Sequence, residues 1–173
     1  MTKPIYVRLL RADDDGSTFQ SGNPDLDRFF HRFAGQNQFR HHIGATYVTV
    51  GDEDIVGFAT VAAAQTEIED FPKSRLKKLP HYPLPALRLA RLAVDRSAQG
   101  SGVGKLLLYA VFQLVQDMAD SVGCIGVVVD AKADAVTFYE RYGFESLEVI
   151  EGGLNSRPEP LPMFLPLGSI PKM

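Results

Sequence analysis

A glycine-rich loop between an apolar strand and a long helix is the feature that most constrains the fold of this chain. Leu87 to Val94 is predicted to be a strand, and Gly100, Gly102 and Gly104 follow it at alternate positions. From Val103 to Met118 the apolar residues recur with the period of an α-helix. The continuously apolar run CIGVVVD then predicts a parallel strand covered on both faces. The order strand, loop, helix and strand is that of a βαβ crossover.

The first half of the chain predicts a helix and an antiparallel hairpin. We expect a first strand over PIYVRLLRA and a helix over NPDLDRFFHRFAGQ, with Asn23 as N-cap and Pro24 at the first helical position. Two strands joined by a tight Gly-Asp-Glu-Asp turn are predicted over ATYVTVGDEDIVGFATVAAA. Gln65 to Pro85 is then predicted to be a connection interrupted by prolines.

The end of the chain predicts one more helix and one more strand. The helix is expected over KADAVTFYERYGF, ending at Gly143, and the strand over PMFLPL. Because no internal repeat or linker interrupts these elements, we expect a single domain over residues 1–173.

The strand at Leu87 to Val94 contains an irregularity in its arginines. Arg88 and Arg91 lie three residues apart, so strict alternation would put them on opposite faces of the sheet. One extra residue, a β-bulge, would bring them to the same face. Bulges often lie beside active sites, so we expect a bulge here.

Composition and spacing exclude several classes of protein. No apolar run approaches the ~20 residues of a membrane span, and the N-terminus lacks the apolar core of a signal peptide. The one cysteine, Cys124, cannot form an internal disulfide, which fits a reducing compartment. We therefore expect a cytoplasmic protein that does not bind membranes. Neither Cys124 nor the four histidines show metal-ligand spacing, so no metal is expected.

The glycine loop itself is typical of an anion site. Such a turn directs backbone N–H groups and the positive end of a helix to one point, most often for a phosphate. A dinucleotide-binding loop would need glycine where Lys105 stands, and a P-loop would need one in place of Gln99. A nucleophile elbow around Ser101 would need glycines at positions 99 and 103. The pattern that remains is Q-x-x-G-x-G, from Gln99 to Gly104, directly after LAVD on a strand.

This pattern resembles the acyl-CoA loop of the GNAT acetyltransferases, and the later FYERYGF resembles their second signature, F-Y-x-x-x-G-F. An ordinary glycine-rich turn is the alternative. The resemblance implies an α/β (α+β) GNAT fold: a central mixed, mostly antiparallel sheet with helices on both faces and a splayed pair of parallel strands. It also implies acetyl-CoA as cosubstrate, with the pyrophosphate held by backbone amides. The cofactor-binding residues implied are Leu92, Ala93, Val94, Gln99, Gly100, Ser101, Gly102, Val103, Gly104 and Lys105.

The same resemblance implies the roles of two groups in acetyl transfer. Backbone N–H groups of Leu92 to Val94 would bind the acyl carbonyl, and Tyr139 would protonate the departing thiolate. The alternative for Tyr139 is a core aromatic; Tyr142 is expected to serve packing. No general base is evident, although Glu67, Glu69 and Asp130 lie near predicted strand ends. An α-amine, with a pKa of roughly 7.7–8.0, would need no strong base.

The first half of the chain resembles one branch of this family. The stretch FQSGNPDLDRFFHRFAGQNQFRHHIGATYVTV and the motif ARLAVD carry the resemblance. Members of the branch are toxins of bacterial toxin–antitoxin pairs; they acetylate the amino acid on charged tRNA and are neutralised by a ribbon-helix-helix antitoxin. A homodimer is expected from the family. The alternatives are an N-acetyltransferase of a small-molecule or protein amine, and a non-catalytic module that binds CoA or a partner.

A basic segment acquires a role within this resemblance. The net charge is −3, so total charge does not predict nucleic-acid binding. Residues 71–91 nevertheless contain no acidic residue, and we expect their six basic residues to contact tRNA phosphates: Lys73, Arg75, Lys77, Lys78, Arg88 and Arg91. A solvated loop, a site for the cofactor's 3′-phosphate and a site for an acidic partner are the alternatives. Two departures from the branch are Ser101, where Lys or Arg is usual, and Asp130-Ala-Lys in place of His-Ala.

Overall fold

The structure, a computed structural model, describes residues 4–66, 83–147 and 160–171. The strands in this part of the chain form a sheet in the order β1-β2-β3-β4-β5-β7-β6. The sheet is mostly antiparallel with one parallel pair, as predicted. The strands are β1 (Tyr6–Leu9), β2 (Ala45–Gly51), β3 (Asp54–Thr66), β4 (Leu84–Val94), β5 (Gly126–Ala131), β6 (Glu145–Ser146) and β7 (Leu161–Pro166).

The helices are α1 (Pro24–Arg32), α2 (Val103–Ser121) and α3 (Val136–Arg141), together with a π-helix (Gln36–His41) and 3-10 turns at Arg96–Ala98, Ala133–Ala135 and Leu167–Ser169. By its internal contacts the chain divides into two compact units. Unit 1 comprises Met1–Ala62 and Leu89–Gln113, and unit 2 comprises Ala63–Arg88 and Leu114–Met173. One domain over residues 1–173 stays a prediction.

Helix α1 in unit 1 confirms the predicted cap and buries an aromatic face. The side chain of Asn23 accepts the N–H groups of Asp25 and Leu26 at 3.0 and 3.2 Å. Phe29 and Phe30 are buried, and the Phe30 ring stacks on Phe58 of β3 with centroids 4.7 Å apart. Such pairs contribute about 0.5–1.5 kcal/mol beyond the area they bury. The helix ends at Arg32, before the predicted end, and the π-helix that follows was not predicted.

The predicted hairpin is confirmed, with a turn of unusual residues. β2 and β3 pair antiparallel, and the turn residues Asp52 and Glu53 have φ of 50° and 72°. Two left-handed residues in sequence are typical of the type I′ turn, whose twist matches that of the strands. Gly57 of β3 lies against α2: an added Cβ would stand 2.6 Å from Val103 Cγ1, so this close approach requires glycine.

Helix α2 confirms the predicted periodicity. It begins at Val103 and buries its apolar face, with Leu107 and Leu108 completely inaccessible to solvent. After it ends, the N–H groups of Val122 and Gly123 both donate to the Met118 carbonyl, and Gly123 has a φ of +97°. A left-handed glycine just past the last turn is a common way to close a helix.

The strands of unit 2 extend beyond the predicted ends. β3 runs to Thr66 and β4 starts at Leu84, so Gln65 and Pro85 lie in strands and not in the predicted connection. Pro85 is exposed, and its carbonyl accepts the N–H of Ile125 at 2.9 Å, so its missing N–H does not interrupt this bond. The rest of the connection lies outside the described residues. The bulge at Arg88 and Arg91 stays a prediction.

Candidate functional site

The loop that follows β4 in unit 1 is organised around Asp95. Its carboxylate caps the 3-10 turn at Arg96–Ala98 by accepting the Ser97 N–H at 3.0 Å and the Ser97 hydroxyl at 2.6 Å. Its own N–H donates to the Val56 carbonyl of β3 at 2.8 Å. Burial tends to raise the pKa of Asp95, but the bonds from Ser97 and from the Gln20 N–H outweigh it and lower the pKa below its usual range. The carboxylate is therefore ionised whenever the loop is folded at neutral pH.

A second set of bonds ties this loop to the segment before α1. The Gln99 side chain donates to the Ser21 carbonyl at 2.8 Å and to the Val94 carbonyl at 3.0 Å. Asp95 accepts the Gln20 N–H at 2.8 Å. The Ser21 hydroxyl in turn donates to Asp27 of α1 at 2.6 Å. The loop is thus braced from two sides by groups that sequence reasoning did not assign.

Two glycines of the loop have backbone conformations that favour glycine. Gly100 and Gly102 have φ of +82° and +93°, and a Cβ added at either would meet no atom within 4 Å. Glycine is therefore required by conformation and not by crowding from the protein. The absence of a side chain leaves open space over this backbone, into which a ligand can come close.

The start of α2 supplies donors for an anion. The Leu106 N–H donates to the Gly102 carbonyl at 3.1 Å as the first turn closes. The N–H groups at the beginning of a helix have no carbonyl four residues earlier in the helix, so those of Val103, Gly104 and Lys105 point out of its end. The helix dipole adds about half a positive charge there. This arrangement can bind a phosphate or diphosphate.

Two residues of the predicted amide set have other contacts. The Ser101 N–H donates to the Ala98 carbonyl at 3.3 Å, and the Ser101 hydroxyl donates to the same carbonyl. Lys105 is exposed, with its ammonium nitrogen 5.4 Å from the centroid of the Tyr109 ring. Ser101 therefore serves the turn itself, and the amides open to a ligand are those of the neighbouring residues.

The last residues of β4, directly before the loop, are held by packing and by a hydrogen bond. Ala93 is buried in the same core cluster as Phe29 and Phe58, whereas Leu92 and Val94 are half-buried. The Val94 carbonyl is engaged by Gln99. The predicted contact of this backbone with an acyl carbonyl stays a prediction.

The two arginines of β4 have different surroundings. Arg88, in unit 2, forms an ion pair with Asp130 at 2.9 Å. Arg91, in unit 1, lies with its guanidinium carbon 3.7 Å from the centroid of the Phe29 ring, and burial lowers its pKa. The other predicted tRNA contacts lie outside the described residues: Lys73, Arg75, Lys77 and Lys78.

Tyr139 of α3, in unit 2, is held by aromatic packing. It is 5% exposed, and its ring centroid lies 5.2 Å from those of Phe138 and Phe144. Burial raises the pKa of Tyr139, so the phenol remains protonated throughout the physiological range. Both predicted roles, proton donor and core aromatic, are consistent with these surroundings.

Of the three candidates for a general base, the structure describes only Asp130, and that residue is engaged by an arginine. Asp130 is exposed, and its carboxylate is engaged by Arg88 at 2.9 Å. Glu67 and Glu69 lie outside the described residues. Within residues 4–66, 83–147 and 160–171, no three His, Cys, Asp or Glu side chains come together as a metal site. No helix in those ranges is long and apolar enough to span a membrane.

Comparisons with known proteins agree on the family to which this chain belongs. Residues 16–152 match the model of the acetyltransferase (GNAT) domain. A tRNA-acetylating toxin of Mycobacterium tuberculosis is 36% identical over 141 residues, 80% of this chain and 82% of the relative. The structure of AtaT complexed with acetyl-methionyl-tRNAfMet has a TM-score of 0.85 at 28% identity, covering 96% of this chain and 97% of that one. The structure of AtaTR bound with AcCoA has a TM-score of 0.78 at 29% identity, covering 96% and 95%.

Proposed function

The chain belongs to the GNAT acetyltransferase domain family, and from that premise we propose that it transfers the acetyl group of acetyl-CoA to the α-amine of an aminoacyl-tRNA. The predicted GNAT fold and its toxin branch are confirmed. The acceptor is supported by the relative at 36% identity, which is a tRNA-acetylating toxin, and by the structural neighbour complexed with an acetyl-aminoacyl-tRNA. The observation that carries the proposal is the glycine loop at the start of α2, open to solvent and lined by outward amides.

The loop would bind the diphosphate of acetyl-CoA through its backbone. The amides of Gly102, Val103 and Gly104 donate to the phosphate oxygens, and the α2 dipole favours their negative charge. Asp95 and Gln99 do not contact the cofactor in this account; they hold the turn in its binding conformation. Because the turn is already formed by these bonds, little conformational entropy is lost when the cofactor binds.

The reaction is a direct transfer without a covalent enzyme intermediate. The amine nitrogen attacks the acetyl carbonyl carbon, the carbon–sulfur bond breaks, and the nitrogen releases one proton to solvent, from which the donor to the sulfur is later reprotonated. The amides of Leu92 to Val94 would stabilise the developing oxyanion, and the Tyr139 hydroxyl would give its proton to the thiolate. The raised pKa of Tyr139 makes its hydroxyl a weak acid. The proton transfer to sulfur therefore requires that the leaving thiolate also be desolvated, because desolvation raises the pKa of a thiol as it does that of a phenol.

The acceptor chemistry agrees with the lack of an obvious base. At pH 7.5 a substantial fraction of an α-amine with a pKa of roughly 7.7–8.0 is already neutral, whereas a lysine ammonium at roughly 10.4 is almost wholly charged. Asp130, the candidate base among the described residues, is occupied by Arg88. An α-amine therefore fits this site better than a lysine side chain does.

The proposal includes the partners and the setting of a toxin. A ribbon-helix-helix antitoxin and a homodimer are included from the family resemblance, as is a single catalytic domain over residues 1–173. Aminoacyl-tRNA and acetyl-CoA meet in the cytoplasm, so the proposed reaction takes place there.

The test is an acceptor assay with labelled acetyl-CoA. The protein is incubated with a mixture of aminoacylated tRNAs, deacylated tRNA, polyamines and peptides, and the label is followed into each fraction. We expect label in aminoacyl-tRNA, released by mild alkali as N-acetyl amino acid, and none in deacylated tRNA. Label that enters polyamines or peptides but never tRNA would reject the acceptor; CoA binding without any thiol release would reject the enzyme.

A further inference from the structure

The guanidinium of Arg91 lies over the ring of a buried phenylalanine. Its carbon is 3.7 Å from the Phe29 centroid, which is within stacking contact. Phe29 is 5% exposed and lies in the buried cluster of unit 1, with its centroid 6.2 Å from that of Phe58. The protein core therefore holds the ring on which the guanidinium rests.

Two arginines in the described part of the chain, Arg8 and Arg88, are held by acids. Arg8 binds Asp14 with two bonds of 2.8 Å, and Arg88 binds Asp130 at 2.9 Å. Arg91 has no carboxylate partner among the described residues, and partial burial lowers its pKa. The residue is nevertheless exposed, so solvent reaches part of its side chain. Arg91 is therefore an exposed cation resting on an aromatic ring, and none of the described residues supplies a carboxylate to neutralise it.

The position of Arg91 in the chain indicates which ligand this is. It directly precedes Leu92 to Val94, the backbone proposed to bind the acyl carbonyl. The acceptor end of a charged tRNA is single-stranded, and unstacked RNA bases commonly lie on arginine planes and aromatic rings. A guanidinium binds a phosphate through its N–H edge, whereas its face can stack on a base.

The geometry points to Arg91 as a stacking platform for a nucleobase of the single-stranded acceptor end of the tRNA substrate, with Phe29 as the positioning residue beneath it. This inference rests on the proposed function and sharpens it, since it assigns Arg91 a base contact and leaves Arg88 to its ion pair. The stack has three layers: the Phe29 ring, the guanidinium and the base. It favours any nucleobase, because each has a π face.

The experiment measures KM for charged tRNA, KM for acetyl-CoA and kcat in four variants of the full chain, of which Arg91→Gln serves the salt series below. Arg91→Lys keeps the charge and loses the plane, and Phe29→Leu keeps a buried apolar group and loses the ring. Phe30→Leu is the matched control, because Phe30 is equally buried and packs on Phe58, and it makes no contact with Arg91 among those described. We expect KM for tRNA to rise about tenfold in the first two variants, with KM for acetyl-CoA and kcat within about twofold. Phe30→Leu should lower the Tm and leave KM for tRNA unchanged.

The salt dependence separates stacking from a simple charge contact. Stacking predicts that Arg91→Lys raises KM for tRNA at every salt concentration without changing the slope of log KM against log salt. If Arg91→Lys matches the wild type while Arg91→Gln shallows the slope, Arg91 is a phosphate contact and the platform is wrong. Equal rises in KM for Phe29→Leu and Phe30→Leu would likewise overturn the role of Phe29. A wild-type protein that never acetylates tRNA would instead reject the proposed function itself.

Discussion

The glycine loop and helix α3 fix their functional residues by different forces. In the loop, Asp95 and Gln99 make directional polar bonds to the segment before α1. On α3, Tyr139 is held between Phe138 and Phe144 by aromatic packing. Polar bonds fix the direction of individual amide groups, and anion binding requires this. Aromatic packing fixes the Tyr139 ring and removes water from its hydroxyl, which raises the pKa of that group. Changes in the loop should therefore act on cofactor affinity, and changes on α3 on the chemical step.

The largest expected effect tests the α3 half of this comparison. Tyr139→Phe keeps the packed ring and removes the proposed proton donor, so kcat should fall about 10²- to 10⁴-fold with KM for acetyl-CoA little changed. Thiol release from acetyl-CoA in the presence of charged tRNA measures this. Tyr142→Phe is the control, because Tyr142 is half-buried and packs on the same Phe138. Equal activity of Tyr139→Phe and wild type would leave Tyr139 as a core aromatic.

The second largest effect is expected in the glycine loop, where it tests whether the backbone binds the cofactor. Gly102→Ala forces a side chain into a left-handed backbone at φ +93°, which costs about 1–2 kcal/mol, so KM for acetyl-CoA should rise about 5- to 30-fold. Gly35→Ala is the control: Gly35 has a φ of −64° and open space around it, so alanine should stabilise by about 0.4–1 kcal/mol and leave KM unchanged. A Gly102→Ala variant that binds the cofactor normally would show that the loop backbone does not bind the diphosphate.

Asp95→Asn should weaken the loop and change its response to acid. The pKa of Asp95 is lowered on folding, so its contribution to stability is complete above the ordinary value of about 3.9 and is lost as pH falls below it. We expect KM for acetyl-CoA to rise about three- to tenfold, and the loss of stability on acidification to be smaller in Asp95→Asn than in wild type. Thermal unfolding between pH 7 and pH 2.5 measures this difference. Parallel curves for the two proteins would show that the carboxylate is not the brace.

The smallest expected effect concerns the two hydrogen bonds that the Gln99 side chain makes to the Ser21 and Val94 carbonyls. Gln99→Ala removes two partly exposed hydrogen bonds, so KM for acetyl-CoA should rise about two- to fivefold. Gln116→Ala is the matched control, since its side chain also donates to a backbone carbonyl, that of Pro171, in unit 2. If both variants change KM alike, the effect is on general stability and not on the loop.

The same contrast explains what sequence alone predicts. The βαβ order, the Asn23 cap and the start of α2 follow from local spacing, and all are confirmed. The braces at Gln20 and Ser21 could not be predicted, because they join residues about 75 positions apart through backbone atoms that leave no pattern in the side chains. The run FQSGN has small polar residues before the helix cap, and this pattern only weakly indicates a contact with the glycine loop.

Arginine roles were likewise beyond prediction from sequence. Arg88 and Arg91 carry the same charge on the same strand, yet one meets Asp130 and the other Phe29. Which partner each finds depends on tertiary packing, and spacing alone treats the two alike. The π-helix after α1 was missed for a related reason, since its residues are ordinary helix formers and its wider turn is not encoded by periodicity.

The most direct test of the account is a crystal structure of the protein with coenzyme A. The account predicts diphosphate oxygens about 2.7–3.2 Å from the amide nitrogens of Gly102, Val103 and Gly104, with the Asp95 and Gln99 bonds unchanged. A diphosphate bound elsewhere, with these amides facing only water, would contradict it.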